Sequence, residues 1–305
     1  MDDPSTTGPD RFTRVAVPPR WRNPVLALGL VLLSVVVTWL FGHLPWVLDG
    51  FRTDRSVPST DGLAGVRIVI PMVAGQLSAL VAFTVVGAVS ATLLPMLFTD
   101  LPRGAAVTLS VIVVAATTLV LTLVARARIE GSAAPGFATD SRVLDGLVVG
   151  VFAVAALGAL LGALASLQLG FLPVAVAVVV VELPTWFTAL GVERSWIRDV
   201  TELVLLAAAL VLSLRRSPAW AALWPAALLV VWSGPAVSAG LLTVQTRLRS
   251  GQNVDALLGD VLSDGFAVFR AAYWHAPRTW WPPVVALVVG VVWLVVRLRR
   301  SRPSG

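Results

Sequence analysis

Cysteine and lysine are both absent from this 305-residue chain, so all 23 basic residues are arginine. Without cysteine there is no disulfide framework, no thiolate zinc site, no cysteine-ligated iron–sulfur cluster and no c-type haem attachment. Without lysine there is no Walker-type phosphate loop and no lysine Schiff base for retinal or pyridoxal phosphate. The sequence therefore predicts a protein that carries no cofactor.

Charged residues are also scarce. They make up 13% of the chain, against 57% hydrophobic residues, whereas a soluble domain has about 25% charged residues. So few charges cannot cover a soluble surface. The net charge of +6 is compatible with nucleic-acid binding, but arginine is also the usual residue at the ends of membrane spans. We therefore expect a polytopic membrane protein whose partners are the lipid bilayer and other membrane-protein subunits, and not nucleic acid.

Eight apolar runs are long enough to form transmembrane helices, which need about 20 residues each. The predicted spans are residues 24–43, 70–95, 104–124, 143–167, 172–190, 200–214, 218–242 and 281–297. They predict an all-α transmembrane bundle over residues 23–299, preceded by a disordered tail at 1–22 and followed by a short tail at 300–305. The alternative is seven spans, with the short sixth candidate lying at the membrane surface.

The connection between the last two spans contains a further helical pattern. Apolar residues recur at steps of three and four over residues 254–272, with aspartates between them. This periodicity predicts a short amphipathic helix that lies on the bilayer or on the bundle. A group of aromatic residues follows within 273–281, and such residues are typical of a membrane interface.

Arginine clusters mark both ends of the chain. The N-terminal tail and the region from Arg297 to Arg302 each contain four arginines. Because arginine accumulates on the cytoplasmic side of membrane spans, we predict a protein of the cell membrane with both termini in the cytoplasm. An even number of spans satisfies this arrangement. Arg126 and Arg128, which it places outside, are the clearest evidence against it.

Glu182 is the one acid predicted near the middle of a span. Ionisable groups are costly there, which makes them functional candidates. Asp145 and Glu202 lie instead in first helical turns, where the helix dipole accounts for them. In the seventh span, the Trp-Ser-Gly-Pro sequence at 232–235 predicts a kink or an opening of the helix. The two spans run in the same direction, so Glu182 and Ser233 are predicted to share a substrate or proton site.

Small residues recur along the fourth span at multiples of four positions: Gly146, Gly150, Gly158, Gly162 and Ser166. Small residues at this spacing let the backbones of two helices approach closely. We therefore predict a helix-packing seam. Because four residues turn a helix by about 400°, the stripe drifts and forms two local patches.

Other combinations of reactive residues are weaker. A serine protease built on the Ser-Gly pair at Ser233 needs a histidine base within the membrane, and both histidines lie near span ends. His43 and His275 could together bind a metal, but two separate interfacial histidines explain them as well. The three aspartates of the first outer loop alternate with arginines, as in a solvated loop. No catalytic residue and no metal site is predicted.

Three classes of function fit these observations. The favoured one is a non-catalytic membrane subunit or scaffold that binds other membrane components. The alternative is a transporter or permease subunit with a midplane site around Glu182 and the Ser233–Pro235 helix break, since interrupted helices mark binding sites in transporters. The third is an intramembrane enzyme acting on lipid-linked substrates, and its only support is a few scattered acidic residues.

Overall fold

The computed structural model describes residues 24–52, 70, 72, 76–131, 141–249 and 254–300. Within these ranges there is no strand, and there are ten α-helices. Their bounds are α1 Pro24–Gly42, α2 Leu44–Arg52, α3 Leu77–Leu93, α4 Arg103–Glu130, α5 Ser141–Leu167, α6 Leu172–Ala189, α7 Ser195–Ser213, α8 Trp224–Arg249, α9 Val254–His275 and α10 Trp281–Arg300. The predicted all-α bundle is confirmed.

In the described part of the chain, seven helices are long and apolar enough to cross a bilayer. These are α1, α3, α4, α5, α6, α8 and α10, so every predicted span except the sixth has such a helix. The sixth corresponds to α7, which has 19 residues but carries Arg198, Asp199 and Glu202 in its first two turns. The choice between eight and seven spans therefore depends on α7 alone.

The long helices run alternately between two ends of the bundle. We define the lower end by the residues at which helices start or stop there, namely Pro24, Arg103, Leu167, Ser213 and Arg300. The upper end is defined in the same way by Gly42, Leu77, Glu130, Ser141 and Ala189.

Contacts at the lower end fix this arrangement. Leu30 of α1 belongs to the same buried cluster as Leu101, which precedes α4. On the other side of the bundle, an Arg297 Nη2 group of α10 donates to the Arg215 carbonyl just after α7, at 2.9 Å. The described chain therefore enters the bundle at Pro24 and leaves it at Arg300 from the same end.

α7 passes through the same layer as its neighbours. At its lower end, the Ser213 hydroxyl accepts a hydrogen bond from Trp224 Nε1 at 3.1 Å. Near its upper end, Arg198 lines the same cavity as Trp232 and Arg278. Nineteen residues rise about 28 Å, close to the roughly 30 Å of a bilayer core. These contacts favour eight spans over the alternative with α7 at the membrane surface.

α3 is the most enclosed of the seven apolar helices, with 72% of its apolar stretch buried against 44% or less in the others. Small residues allow α1 and α5 to approach it. A Cβ added to Gly87 would lie 2.9 Å from the Cα of Gly42 in α1. A Cβ added to Gly162 of α5 would lie 1.9 Å from Thr92 Oγ1, and the Ser166 hydroxyl donates to the Thr92 carbonyl at 2.6 Å.

The predicted packing seam on α5 occupies only its lower half. Gly158 lies against α3, as Gly162 does, but a Cβ on Gly146 or Gly150 would meet nothing within 4 Å. Each residue turns the helix by about 100°, so Gly146 is rotated by about 120° from Gly158, and Gly150 by about 80°. Gly146 and Gly150 therefore face open space, and the prediction of close packing was wrong for these two.

The second span starts later than the sequence indicates. Residue 70 was the predicted start, whereas α3 begins at Leu77. Ile70 and Met72 are non-helical and fully buried, in a cluster with Ile129 of α4 and Leu144 of α5. These two apolar residues pack against the upper parts of α4 and α5 without forming a helix, and hydropathy alone cannot distinguish such residues from a span.

α9 corresponds to the predicted amphipathic helix, and it packs on the bundle by running antiparallel along α8. Near the upper end, Arg247 pairs with Asp264 at 2.9 Å. Closer to the middle of α8, the rings of Trp232 and Tyr273 lie 6.4 Å apart. Facing glycines bring the two backbones together between these points. α8 and α9 thus form a helical hairpin.

Candidate functional site

A cavity of about 350 Å³ lies among α6, α7, α8 and α10. Its walls are largely apolar side chains, and they include four prolines: Pro184 of α6, Pro235 of α8, Pro283 of α10, and Pro277 of the connection between α9 and α10. Small concave sites with apolar walls and a few polar groups are typical of ligand-binding sites. All of the lining residues come from the second half of the chain.

α7 contributes two charged groups to the cavity wall. Arg198 and Glu202 are four residues apart and therefore lie on the same face of the helix. Arg198 Nε contacts Asp199 Oδ1 at a long 3.4 Å, and both Arg198 and Glu202 are partly buried. One anionic and one cationic group thus lie side by side at the edge of an otherwise apolar cavity.

Arg278, between α9 and α10, also lines the cavity but is engaged in structural contacts. Its Nε donates to the Trp232 carbonyl of α8 at 3.0 Å, and Nη1 donates to the Ala276 carbonyl at 2.9 Å. Nη2 donates to the carbonyls of Ala272 and Tyr273 at the end of α9. The guanidinium carbon also lies 4.2 Å from the centre of the Trp232 ring, a cation–π contact. Arg278 joins α8 to α9, so the ligand-facing charges are those of α7.

Four exposed tryptophans lie on the surface of the protein at the same level as the cavity. Trp196 starts α7, Trp274 is near the end of α9, and Trp280 and Trp281 precede or start α10; each is between 43% and 71% exposed. Exposed tryptophans in a helical membrane protein mark the level of the lipid headgroups. The cavity lies at the level of these four tryptophans.

Glu182 is buried, with 8% of its surface exposed, but it is not among the residues that line this cavity. Val178 and Trp186, one turn away on either side, pack on a cluster that contains Val86 of α3. Residues four apart share a helix face, so Glu182 lies on the side of α6 that is turned toward α3. The structure gives its carboxylate no ion pair with any described residue.

The helix break expected at Ser233–Pro235 is not present. α8 continues from Trp224 to Arg249 through Pro235, and α6 likewise continues through Pro184. A proline removes one backbone hydrogen bond, and at this level Arg278 donates to the Trp232 carbonyl of α8. The Ser233 hydroxyl donates back to the carbonyls of Leu229 and Val230. α8 is thus not open at Ser233, and a site shared by Glu182 and Ser233 stays a prediction.

The two histidines differ in environment. His43, between α1 and α2, is buried, and its Nδ1 atom has no hydrogen-bond partner in the described structure. His275 is exposed at the end of α9. Among the described residues, no group of three or more metal-binding side chains occurs. The aspartates of the first outer loop, Asp49, Asp54 and Asp61, lie outside the side chains that the structure describes.

Sequence reasoning considered Glu202 but attributed it to the helix dipole, and it missed Arg198 and Arg278. The four-residue spacing of Arg198 and Glu202 at the start of an apolar helix was the available signal. Nothing in the sequence indicated that Arg278 would reach back to α8, because that contact depends on the hairpin of α8 and α9.

Comparison with known proteins gives no assignment. The chain matches no protein-family model, no curated protein sequence and no solved structure. Its architecture, a multi-pass helical bundle, is therefore established from its own sequence and geometry.

Proposed function

We propose that this protein is a non-catalytic membrane subunit that binds an amphipathic membrane component, a lipid or a lipid-linked molecule, in the cavity among α6, α7, α8 and α10. The observation that carries the proposal is the combination of apolar walls with one edge formed by Arg198 and Glu202. An amphipathic ligand would place its polar group on α7 and its apolar chain along the walls.

The level of the cavity supports this choice of ligand. Exposed tryptophans lie at the starts of α7 and α10 and at the end of α9, next to the cavity. A bilayer lipid already positions its polar and apolar parts on either side of that level. Binding would therefore require little movement of the lipid along the membrane normal.

A binding role fits the cavity better than catalysis or transport. Glu202 is the one carboxylate among its lining residues, and neither histidine is among them, so the lining lacks the acid–base pairs that most hydrolytic mechanisms use. Transport through interrupted helices is less well supported, because α6 and α8 are continuous and Glu182 lies outside the lining.

The same architecture supports a proposal for the orientation and the location of the protein. The lower end receives both Pro24 and Arg300, and the arginine-rich tails continue from these residues. We propose that this end faces the cytoplasm and that the protein resides in the cell membrane.

Filling the cavity tests the proposed function. Val284 lines the cavity, whereas Val288, one turn later on α10, does not; the two are 51% and 55% exposed. We expect native mass spectrometry of the wild-type protein, purified from its own membranes in mild detergent, to show a retained amphipathic molecule. Val284→Trp should lose this molecule, and the matched control Val288→Trp should keep it.

Two outcomes would contradict the proposal. One is a wild-type protein that retains no small molecule under conditions that preserve its fold. The other is equal retention by Val284→Trp and Val288→Trp, which would place the bound molecule elsewhere on the protein.

A further inference from the structure

Arginines and acids are distributed unequally between the two ends of the bundle. In the described chain, the lower end has six arginines and one acid: Arg103, Arg215, Arg216, Arg297, Arg299, Arg300 and Asp100. At the upper end, the side chains that the structure describes include eight arginines, but seven acids accompany them: Glu130, Asp145, Glu193, Asp199, Glu202, Asp260 and Asp264. Among the described side chains, a clear excess of positive charge therefore occurs at the lower end and not at the upper end.

Five of the six lower arginines form one patch, which we call the basic patch: Arg215, Arg216, Arg297, Arg299 and Arg300. The patch joins the end of α7 to the end of α10, because Arg297 Nη2 donates to the Arg215 carbonyl at 2.9 Å. No described acid pairs with any of these five side chains. Their guanidinium groups therefore remain available to an anion.

An exposed tryptophan lies directly above the basic patch on α10. Trp293 is 45% exposed, and Arg297 and Arg300 follow it at steps of four and three residues, on the same helix face. An exposed indole in the membrane above two guanidinium groups matches the order of acyl chain, glycerol and phosphate in a phospholipid.

We propose that the basic patch binds anionic phospholipid headgroups at the lower surface of the bundle. The phosphate would contact the guanidinium groups of α10 and of the α7–α8 connection, and the lipid body would lie against Trp293. This site is separate from the cavity, which opens among residues near the upper end. It also holds the lower end against a leaflet that carries negative charge, in agreement with the proposed orientation.

The test uses two variants with the same change of charge at opposite ends. Arg216→Gln/Arg299→Gln/Arg300→Gln removes three exposed arginines of the basic patch. Arg128→Gln/Arg194→Gln/Arg270→Gln is the matched control, and it removes three exposed arginines at the upper end. Each full-length protein is offered an equimolar mixture of phosphatidylglycerol and phosphatidylcholine, and the retained lipids are counted by native mass spectrometry.

We expect the wild-type protein and the control to retain phosphatidylglycerol in preference to phosphatidylcholine. In the patch variant, the preference for phosphatidylglycerol should fall by about tenfold, because each arginine near an anionic surface makes its own contribution to the binding free energy. In the wild-type protein, raising the ionic strength from about 0.1 M to about 1 M should weaken retention, because the Debye length falls from about 10 Å to about 3 Å.

Equal loss in both variants would overturn the proposal, because net charge and not the patch would then govern binding. An unchanged preference in the patch variant, or salt-independent retention by the wild type, would overturn it as well. The patch variant should still retain the cavity ligand, and Val284→Trp should keep the preference for phosphatidylglycerol over phosphatidylcholine, so this test and the test of the proposed function can fail separately.

Discussion

The first five helices and the last five use different packing although both are made mainly of aliphatic residues. Around α3, glycines and other small residues bring backbones into contact, as at Gly42 with Gly87 and Gly162 with Thr92. α8 also meets α9 through facing glycines, but at its interfaces with α6, α7 and α10 prolines, a tryptophan and Arg278 leave a cavity of about 350 Å³.

This difference fits the proposed function, with a scaffold half formed by α1 to α5 and a binding half formed by α6 to α10. Small residues at matched positions give contacts that cannot shift without overlap of backbone atoms, which suits a fixed scaffold. Large, irregular side chains and prolines leave space that a ligand can fill, with polar groups at its edge. In the described structure, the cavity lies within the second of these two groups of helices.

The largest predicted effect concerns α7, which belongs to the second half. The chain has no cysteine, so Glu193→Cys and Ala219→Cys can each be labelled singly with an impermeant maleimide. If α7 crosses the membrane, Glu193→Cys is labelled on intact cells, whereas Ala219→Cys is labelled only after the membrane has been permeabilised. Gly131→Cys and Gly104→Cys, at the upper and lower ends of α4, provide the matched reference pair. Labelling of residues 193 and 219 from the same side would establish seven spans.

The next effect tests the scaffold half. Gly162→Leu should destabilise the protein by about 3 kcal/mol, because the new side chain overlaps the Val89 carbonyl and the Thr92 side chain of α3. Gly150→Leu, on the same helix in open space, should change the stability by less than about 0.5 kcal/mol. Thermal unfolding in detergent measures both. Equal melting points for the two variants would show that α5 does not pack on α3 as described.

Arg278 tests the binding half. Arg278→Gln should cost about 2 kcal/mol, because it removes hydrogen bonds from a charged donor to carbonyls of α8 and α9. Hydrogen exchange should increase at the end of α9, around Ala272 and Tyr273, and not in α3. Arg270→Gln, an exposed position on α9, is the control and should leave exchange unchanged. Unaltered exchange in Arg278→Gln would mean that the hairpin does not depend on this residue.

The smallest effect is expected at Glu182, on the face of α6 that is turned toward α3 of the first half. Glu182→Gln should be neutral or slightly stabilising, by less than about 1 kcal/mol, because it removes a buried carboxyl that has no described ion pair. Retention of the cavity ligand should not change, since Glu182 is not part of the lining. Loss of the ligand, or of function with the fold intact, would instead support the transport interpretation.

Much of the fold could be predicted from the sequence, because hydropathy reports directly on helices that must satisfy their own backbone in lipid. Seven of the eight predicted spans coincide with long apolar helices. The start of α3 could not be predicted from hydropathy, because Ile70 and Met72 are equally apolar but bury themselves without forming a helix. The packing of Gly158 and Gly162 of α5 on α3 was predictable from the glycine spacing. That Gly146 and Gly150 do not take part depends on the rotation of α5, which the spacing did not reveal.

The cavity was less predictable than the fold, because it depends on which faces of α6, α7, α8 and α10 are turned toward one another. Glu182 stood out by depth in its span, yet the face of α6 that carries it is turned toward α3. Pro235 indicated a break, but α8 remains continuous, and Arg278 contacts it from 46 residues away. Such long-range contacts have no periodic signature in a single sequence.

The most direct test of the central claim is photo-crosslinking from within the cavity. The photoreactive residue p-benzoylphenylalanine replaces Val284 in one protein and Val288 in another, and each is irradiated in its native membrane. The account predicts that one class of amphipathic molecule is enriched several-fold on the adduct at 284 relative to that at 288. The same distribution of bulk lipids at both positions would contradict it.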